Sequence, residues 1–271
     1  QLMQQPVREI NRSSQVRVDK IEGQITITNV SLTYPEQKEA VINKVNLNVA
    51  AGEKIAIVGK IASGKTSLLR LITGLYDPSE GSVKIDKSDI THMHPDDIRN
   101  HIGVVMQIPI LFSGTLKENL LMGNPNATDK EMLAAAKIAN VDAIASSLPD
   151  GYETLIAEGG KQLSGGQRQA ICIARAFVGD PKIIIMDEPS SAMDSGSEQQ
   201  LLEILKEKLV NKTLILITHR GTLLSLVSRV VVIDKGRILA DGPKDKVLQA
   251  ASQQAQKQSQ QKPQEESPDV R

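Results

Sequence analysis

Apolar and polar residues alternate in the first part of the chain. The alternation runs over two stretches, Ile25 to Leu32 and Val45 to Val49. A period of two places the apolar side chains on one face of an extended backbone. The pattern therefore predicts half-buried β-strands within residues 24–49.

A second pattern begins after this region. Residues 54–58 predict a short apolar strand, which leads into a glycine-rich turn and an apolar-periodic helix from about Lys65 to Thr73. Two later apolar runs, 183–186 and 214–217, show no alternation, as is typical of parallel strands that are covered on both faces. Residues 230–240 predict a late hairpin. Together these elements predict an α/β core.

The remaining segments differ in composition. Residues 1–22 are polar with little periodicity, and we interpret them as a linker from an upstream membrane region that this chain does not contain. Residues 23–250 predict one large domain, with a helical subdomain at about 90–175 inserted into the core. Residues 251–271 are rich in Gln, Ser, Lys, Glu and Pro. Burial cannot offset the entropy cost of ordering such a segment, so we predict a disordered tail.

Composition narrows the function classes. Among 271 residues, 32 Lys and Arg balance 32 Asp and Glu, which gives no support for nucleic-acid binding through a broad basic surface. Cys172 is the only cysteine, which excludes a disulfide within the chain and fits a reducing compartment. No apolar run approaches the ~18 residues that a membrane-spanning helix needs. The chain starts with Gln rather than Met, and we interpret it as a piece of a longer protein.

Residues 59–66, GKIASGKT, match the pattern G-x-x-x-x-G-K-[ST] in full. Gly59 and Gly64 let the backbone wrap around a phosphate, and the helix that follows adds its positive N-terminal end. Lys65 supplies a mobile charge for the outer phosphates, and Thr66 offers a hydroxyl to Mg²⁺. The predicted nucleotide-binding residues here are Gly59, Lys60, Ile61, Ala62, Ser63, Gly64, Lys65, Thr66 and Ser67.

The apolar run at 183–186 ends in two acidic residues, Asp187 and Glu188. A carboxylate at the end of a buried strand is costly unless a cation or a hydrogen-bond partner is present. After a P-loop, this arrangement predicts that Asp187 holds Mg²⁺ and that Glu188 polarises the attacking water as a general base. The alternative is an ordinary acidic turn at the end of a strand.

Leu163 is followed by Ser164, Gly165, Gly166 and Gln167. Ser164 and Gln167 have the spacing of a capping box at a helix start, which is a sufficient structural explanation for these two residues. The two glycines lower helix stability in the first turn and need another reason. Close approach of a large anion to the helix end is such a reason.

On these motifs the chain resembles the nucleotide-binding domain of ABC transporters, whose signature motif is similar to LSGGQ at 163–167. The resemblance covers about residues 22–250. It implies the ABC ATPase fold, an α/β P-loop NTPase core with a mixed sheet, an antiparallel β subdomain and a helical subdomain. It also implies ATP and Mg²⁺ as ligands, and ATP hydrolysis as the reaction.

The resemblance also implies roles for single residues. Tyr34 resembles the aromatic residue that stacks on adenine, Gln107 the glutamine that senses Mg²⁺ and couples to the membrane domain, and His219 the histidine that contacts the γ-phosphate. Residues 191–194 (SAMD) resemble the D-loop. Taken singly, each has an ordinary alternative: Tyr34 as a strand aromatic, and the other two as polar residues without a catalytic role. The implied catalytic residues are Glu188, His219, Lys65 and Gln107. The implied Mg²⁺ ligands are Thr66, Gln107 and Asp187. The implied contacts to ATP from a second copy are Ser164, Gly165, Gly166 and Gln167.

Residues 107–120 resemble the exporter version of the region that receives a coupling helix from the membrane domain, with Leu111 and Phe112 lining the groove. Three shorter segments resemble type I secretion exporters, namely 157–160, 191–194 and 240–244. This implies export of RTX-type proteins or adhesins. The implied partners are a second copy of the chain, the membrane domain and, indirectly, a membrane-fusion protein and an outer-membrane channel. The implied location is the cytoplasmic face of the bacterial inner membrane, with this piece itself soluble.

The chain departs from the family pattern in three places. Met106 stands where exporters usually have Pro, Gly160 stands where Arg is common, and residues 61–63 make the P-loop less glycine-rich than usual. Other classes stay open at this point: a soluble ABC ATPase, an exporter of lipids, peptides or drugs, and a nucleotide-gated switch without catalysis.

Three histidines, His92, His94 and His101, lie near Asp96 and Asp97. Their spacing fits no common zinc pattern, so we interpret the group as a solvated face. Cys172 lies among apolar residues after the signature and is predicted to be part of the core.

Overall fold

The computed structural model describes residues 16–35, 37–250 and 253. Of the predicted linker at 1–22, only residues 16–22 fall within this range, and the predicted disordered tail lies outside it except for Gln253. Among the described residues, no helix has the length and apolar character needed to cross a membrane.

The described part of the chain contains twelve strands and seven α-helices. The strands are β1 (Ile25–Leu32), β2 (Ile42–Val49), β3 (Lys54–Val58), β4 (Glu80–Ile85), β5 (Ser88–Asp89), β6 (Ile102–Val105), β7 (Gly114–Thr115), β8 (Leu155–Ile156), β9 (Ile183–Asp187), β10 (Thr213–Ile217), β11 (Arg229–Asp234) and β12 (Arg237–Pro243). The helices are α1 (Lys65–Ile72), α2 (Pro95–His101), α3 (Leu116–Leu121), α4 (Asp129–Ile138), α5 (Val141–Ser147), α6 (Gly165–Phe177) and α7 (Ser195–Lys208).

A six-stranded sheet forms the centre of the fold, in the order β12-β11-β3-β10-β9-β6. Strands β11, β3, β10, β9 and β6 run parallel, and β12 is antiparallel to β11 at one edge. The carboxyl ends of parallel strands lie at the same edge of a sheet. The loops that follow β3, β6, β9 and β10 therefore come together.

Strand β9 contributes side chains to two hydrophobic cores. Ile183 and Ile185 pack in the core that contains α1 and the antiparallel sheet, whereas Ile184 and Met186 pack in the core that contains α3 to α7. All four side chains are fully buried. This confirms the prediction of a strand covered on both faces, and it explains why the run shows no alternation.

The early alternating region forms an antiparallel sheet in the order β2-β1-β4-β5. Ile25 and Ile27 of β1 are buried, while Thr28 is exposed. One face of this sheet therefore packs toward α1, as the period of two predicts.

Helices α3 to α6 lie on one side of the central sheet. Thr115, Thr128 and Ser164 each begin a helix with a complete capping box. The range predicted as helical subdomain, about 90–175, also contains β6, which pairs with β9 in the central sheet. A run of only four residues is too short for periodicity to identify it as a strand.

Candidate active site

The loops at the carboxyl edge of the central sheet bring most of the predicted site together. The P-loop (residues 59–66) follows β3, Glu188 follows β9, and His219 comes two residues after β10. The Glu188 N–H donates to the carbonyl oxygen of Ile217 at 2.8 Å. This hydrogen bond ties the ends of β9 and β10 side by side.

The P-loop is tightly folded at its glycines. A Cβ atom at Gly59 would lie 2.1 Å from the Ile233 carbonyl oxygen, and Gly64 has a φ of +106°. Lys65 Nζ donates to the carbonyl oxygens of Gly59 and Lys60 at 2.8 and 2.7 Å. The ammonium group is thus held inside the loop by neutral acceptors. An anion would accept a stronger, charge-assisted hydrogen bond from Lys65 and can replace these carbonyl oxygens. The loop therefore fits a phosphate ligand.

The turn between β11 and β12 supports the P-loop from the side. Gly236 N–H donates to the Ser63 carbonyl oxygen at 2.9 Å. A Cβ atom at Gly236 would lie 2.2 Å from the Val41 carbonyl oxygen, so no larger residue fits without a shift of the backbone. Sequence reasoning predicted the hairpin and missed this contact, because no local signal relates residue 236 to residue 63.

Thr66 and Asp187 form a pair of oxygen donors beside the P-loop. Thr66 Oγ1 donates to Asp187 Oδ2 at 3.1 Å. Burial raises the pKa of Asp187 above its ordinary value, and the Thr66 hydroxyl, Lys65 and His219 offset this only in part. A buried, incompletely compensated carboxylate next to a hydroxyl is the kind of oxygen donor set that Mg²⁺ prefers. These residues therefore fit a Mg²⁺ ion.

Glu188 is held in an unusual backbone conformation. Its φ is +48°, in the left-handed region that non-glycine residues seldom adopt. Its carboxylate accepts the Thr218 hydroxyl at 3.4 Å and the His219 N–H at 3.1 Å, and the His219 Nε2 atom lies 3.7 Å from Glu188 Oε1. The Glu188 side chain is 14% exposed and that of His219 is 64% exposed. The carboxylate is thus fixed, and the imidazole faces solvent.

The signature turn begins α6 and lies against the D-loop. Ser164 Oγ accepts the Gln167 N–H at 3.2 Å and Gln167 Oε1 accepts the Ser164 N–H at 2.8 Å, which confirms the capping box. Cβ atoms at Gly165 and Gly166 would each lie 3.3 Å from atoms of Ala192. Among the described residues, no hydrogen bond joins this turn to the P-loop. The structure therefore does not connect these two motifs within one chain.

Tyr34 and Gln107 lie at the margins of the site. The Tyr34 hydroxyl donates to Ser67 Oγ at 3.0 Å and accepts a hydrogen bond from Arg70 at 3.2 Å, which places Tyr34 beside the start of α1. Its ring meets the Tyr76 ring edge-on, with centroids 5.0 Å apart. Gln107 follows β6 and is exposed.

The apolar segment that follows Gln107 is open to solvent in part. Ile108, Ile110 and Phe112 are 72%, 55% and 48% exposed. Leu111 is only 1% exposed and packs in the core, so the expectation that it lines a groove together with Phe112 is wrong. Neighbouring side chains of an extended segment point to opposite sides, which separates Leu111 from the exposed residues.

The predicted solvated face near the three histidines is wrong for Asp97, which is 8% exposed. Its carboxylate accepts the Val18 N–H and the Arg17 guanidinium, both at 2.9 Å, and His101 Nε2 lies 2.8 Å from the Val18 carbonyl oxygen. The cause is a long-range contact, because residues 16–18 pack onto α2. Within the described ranges, no group of His, Cys, Asp and Glu has the arrangement of a metal site.

Two further residues of α6 are buried. Cys172 is 7% exposed, which confirms that it belongs to the core. Gln169 is fully buried, and neither atom of its amide group has a hydrogen-bond partner. Sequence reasoning missed Gln169, because a single glutamine on a helix gives no signal of burial.

These features define a class of protein. A phosphate-binding loop follows the central parallel strand β3, and a hydroxyl and a carboxylate pair up beside it. A second acidic residue is fixed at the end of β9, which is separated from β3 by β10. This is the arrangement of a P-loop ATPase.

Comparison with known proteins narrows the class. The family model described as "ABC transporter" matches residues 42–191. The chain is 37% identical to the putative multidrug export ATP-binding/permease protein YgaD of Bacillus subtilis over 90% of this chain and 42% of that protein. It is also 37% identical to the leukotoxin export ATP-binding protein LtxB of Aggregatibacter actinomycetemcomitans, over 88% of this chain and 34% of that protein. A solved bacterial Atm1-family ABC exporter with ATP bound superposes with a TM-score of 0.80 and 31% identity, over 94% of this chain and 45% of that one.

The chain belongs to the ABC transporter family, and its fold is the predicted ABC ATPase fold. It is an ATP-binding, ATP-hydrolysing domain of the exporter type. The chain spans less than half the length of each of these relatives.

Proposed function

We propose that this chain powers an exporter through ATP-driven, head-to-tail dimerisation of two copies. The P-loop of one copy faces residues 164–166 of the other, with ATP between them. The observation that carries this proposal is the division of the site. Asp187 and Glu188 converge with the P-loop in one chain, whereas the exposed Ser164 turn makes no hydrogen bond to that loop. A second copy supplies what the first leaves open.

The P-loop accounts for phosphate binding. Its backbone N–H groups and the N-terminal end of α1 direct positive dipoles toward an anion. Lys65 exchanges its two carbonyl acceptors for phosphate oxygens. Tyr34 is assigned to adenine, since it lies beside Ser67 at the start of α1.

Mg²⁺ is assigned to Thr66 and Asp187, with Gln107 as a further ligand. When bound, the ion neutralises charge on the outer phosphates of ATP. The chain's own contribution is the hydroxyl–carboxylate pair, whose oxygens are already 3.1 Å apart. The raised pKa of Asp187 supports this assignment, since burial leaves that carboxylate in need of a cation.

Hydrolysis is assigned to Glu188 and His219. Glu188 accepts the proton of the attacking water as a general base, while the developing charge is stabilised by Lys65 and the end of α1. His219 is exposed beside that carboxylate and can contact the γ-phosphate. Loss of the γ-phosphate removes the contacts that favour the closed dimer, so ATP acts as the ligand of a two-state switch.

The membrane domain is the proposed partner of the exposed segment 108–112, which offers three apolar side chains to a coupling helix. The proposed cargo class is that of type I secretion, RTX-type proteins or adhesins, and the relative LtxB supports it. The proposal includes a membrane-fusion protein and an outer-membrane channel as indirect partners, and the cytoplasmic face of the bacterial inner membrane as the location. Export of a small drug by the full-length protein without a membrane-fusion protein would contradict this cargo class.

The test of the catalytic proposal is the Mg²⁺-dependent ATPase rate of the chain as a function of protein concentration. We expect the rate per chain to rise with concentration, because two copies form each site. Glu188→Gln keeps the shape of the side chain and removes the base, so it should lower the rate by about 100-fold or more while ATP binding persists.

The matched control is Glu203→Gln, a glutamate of α7 that is 57% exposed. It should hydrolyse ATP at the parent rate. A Glu188→Gln variant with the parent rate would remove Glu188 from the base role. A rate per chain that is independent of concentration, together with a monomeric size in ATP, would contradict the dimer.

A further inference from the structure

Arg175 lies in the last turn of α6, at the opposite end of the helix from the signature turn. Its guanidinium group donates to the Asn119 carbonyl oxygen at 2.7 Å, to Asn119 Oδ1 at 3.0 Å and to the Ile110 carbonyl oxygen at 2.9 Å. Its Cζ atom lies 5.9 Å from the centre of the Phe112 ring. One side chain of the signature helix thus holds the segment 108–112 and the helix α3.

Asn119 completes this junction. It is 1% exposed, its Nδ2 atom donates to the carbonyl oxygens of Phe112 and Thr115 at 2.9 and 3.1 Å, and its Oδ1 atom accepts the Phe112 N–H at 3.0 Å. The amide group uses both its donor and its acceptor on Phe112. The backbone of the exposed apolar segment is therefore fixed to Asn119, and Asn119 is fixed to Arg175.

The junction carries a free-energy cost, because it places a charged guanidinium group in a partly buried position. Burial lowers the pKa of Arg175, and in the described part of the chain no carboxylate forms an ion pair with it. Replacement of a partly buried charge by a well-packed apolar side chain of similar volume is often neutral or stabilising. A Cβ atom at Gly123 would lie 2.1 Å from the Arg175 carbonyl oxygen, so the end of α3 also packs directly on this turn. These contacts fix the segment 108–112 and the end of α3 relative to α6.

We propose that Arg175, acting through Asn119, is a positioning residue that makes the segment 108–112 move with the signature helix. Helix α6 has 13 residues and spans about 20 Å as a rigid rod. Its N-terminal end is where the partner's ATP binds under the function proposed above, on which this inference rests. Its C-terminal end holds the exposed apolar segment. ATP at one end therefore shifts the surface offered at the other.

The test is hydrogen exchange on the chain with and without ATP, in a Glu188→Gln background that retains the nucleotide. In the Glu188→Gln protein without a further substitution, ATP should slow exchange at 59–66 and 164–167 and also change it at 108–113. The Phe112 amide is the most direct reporter, since it donates to Asn119.

Arg175→Lys keeps the positive charge but cannot reach three acceptors with one planar group. We expect exchange at 108–113 to become about tenfold faster, because charged hydrogen bonds are lost, and to stop responding to ATP. The response at 59–66 and 164–167 should persist. Asn119→Ser tests the same junction from α3 and should give the same result. Arg99→Lys, at an arginine that is 70% exposed, is the control and should behave as the background does.

Each outcome decides between the proposals. ATP protection that is absent at 59–66 and 164–167 would contradict the proposed function itself. Protection there without any change at 108–113 in the background protein would overturn the positioning role. So would an ATP response at 108–113 that survives in both Arg175→Lys and Asn119→Ser. Unchanged exchange in β9 and β10 shows that each variant is folded.

Discussion

Two non-glycine residues of the site have a left-handed backbone, with φ values of +61° at Ala62 and +48° at Glu188. This conformation costs such a residue about 1–2 kcal/mol. At Glu188 the turn brings the N–H to Ile217 and the carboxylate to His219, so the hydrogen bonds offset the cost. Ala62 is exposed, and its methyl group offsets nothing by burial. The departure from a glycine-rich P-loop therefore costs stability at this position.

We expect Ala62→Gly to raise the free energy of unfolding by about 0.5–1 kcal/mol, because relief of the left-handed strain exceeds the entropy that glycine adds to the unfolded chain. Urea unfolding measures this difference. The control is Ala143→Gly at an exposed position within α5, where glycine should lower the free energy of unfolding by about 1 kcal/mol. If both variants lose stability equally, Ala62 carries no strain.

At the scale of elements, helix α2 holds the segment 16–18 through the Asp97 carboxylate and the His101 ring. Burial by itself acts to raise the pKa of Asp97, but the Val18 N–H and Arg17 outweigh it and keep the pKa of this carboxyl group below its ordinary value. A carboxyl group whose pKa is lowered by folding contributes stability above its unfolded pKa of about 4. That stability is lost as the pH falls through the folded value.

Asp97→Asn should therefore lower the free energy of unfolding by about 1–2 kcal/mol near pH 7, since a charged acceptor of two hydrogen bonds is lost. The difference from the parent should shrink as the pH falls from about 4, where the parent carboxylate is protonated as well. Urea unfolding over this pH range measures it. Asp96→Asn, at an aspartate that is 56% exposed, should change little at any pH. A difference in the free energy of unfolding between the parent and Asp97→Asn that does not change with pH would contradict this prediction.

The same element shows where prediction from sequence ends. Strands and helices with a clear period, such as 25–32 and 65–72, could be predicted, because periodicity reports which face is buried. The P-loop and the two acids at the end of β9 could be predicted, because their chemistry is local in sequence. The burial of Asp97 and the contact of Gly236 with Ser63 could not, since each depends on a partner far away in the chain.

At the scale of the whole molecule, no hydrogen bond among the described residues joins the P-loop to the signature turn. The central sheet gathers the P-loop, Asp187 and Glu188 at one edge, while Gly165 and Gly166 of α6 lie against Ala192 of the D-loop. In the proposed dimer, two such chains related by a two-fold axis would form two identical sites, each made from the P-loop of one copy and the signature turn of the other. The symmetry makes this arrangement testable without a structure of the dimer.

Lys65→Ala removes the phosphate-binding ammonium group, and Ser164→Arg blocks the signature turn with a large side chain. Each variant alone should be inactive, because every site in its homodimer carries the defect. In a mixture, a heterodimer has one site with both defects and one site with neither. Random pairing of equal amounts should therefore recover about a quarter of the parent ATPase rate. The measurement is the ATPase rate of the mixture against each variant alone at the same total concentration. A mixture as inactive as its components, with heterodimers shown to form in ATP, would mean that each site is completed within one chain.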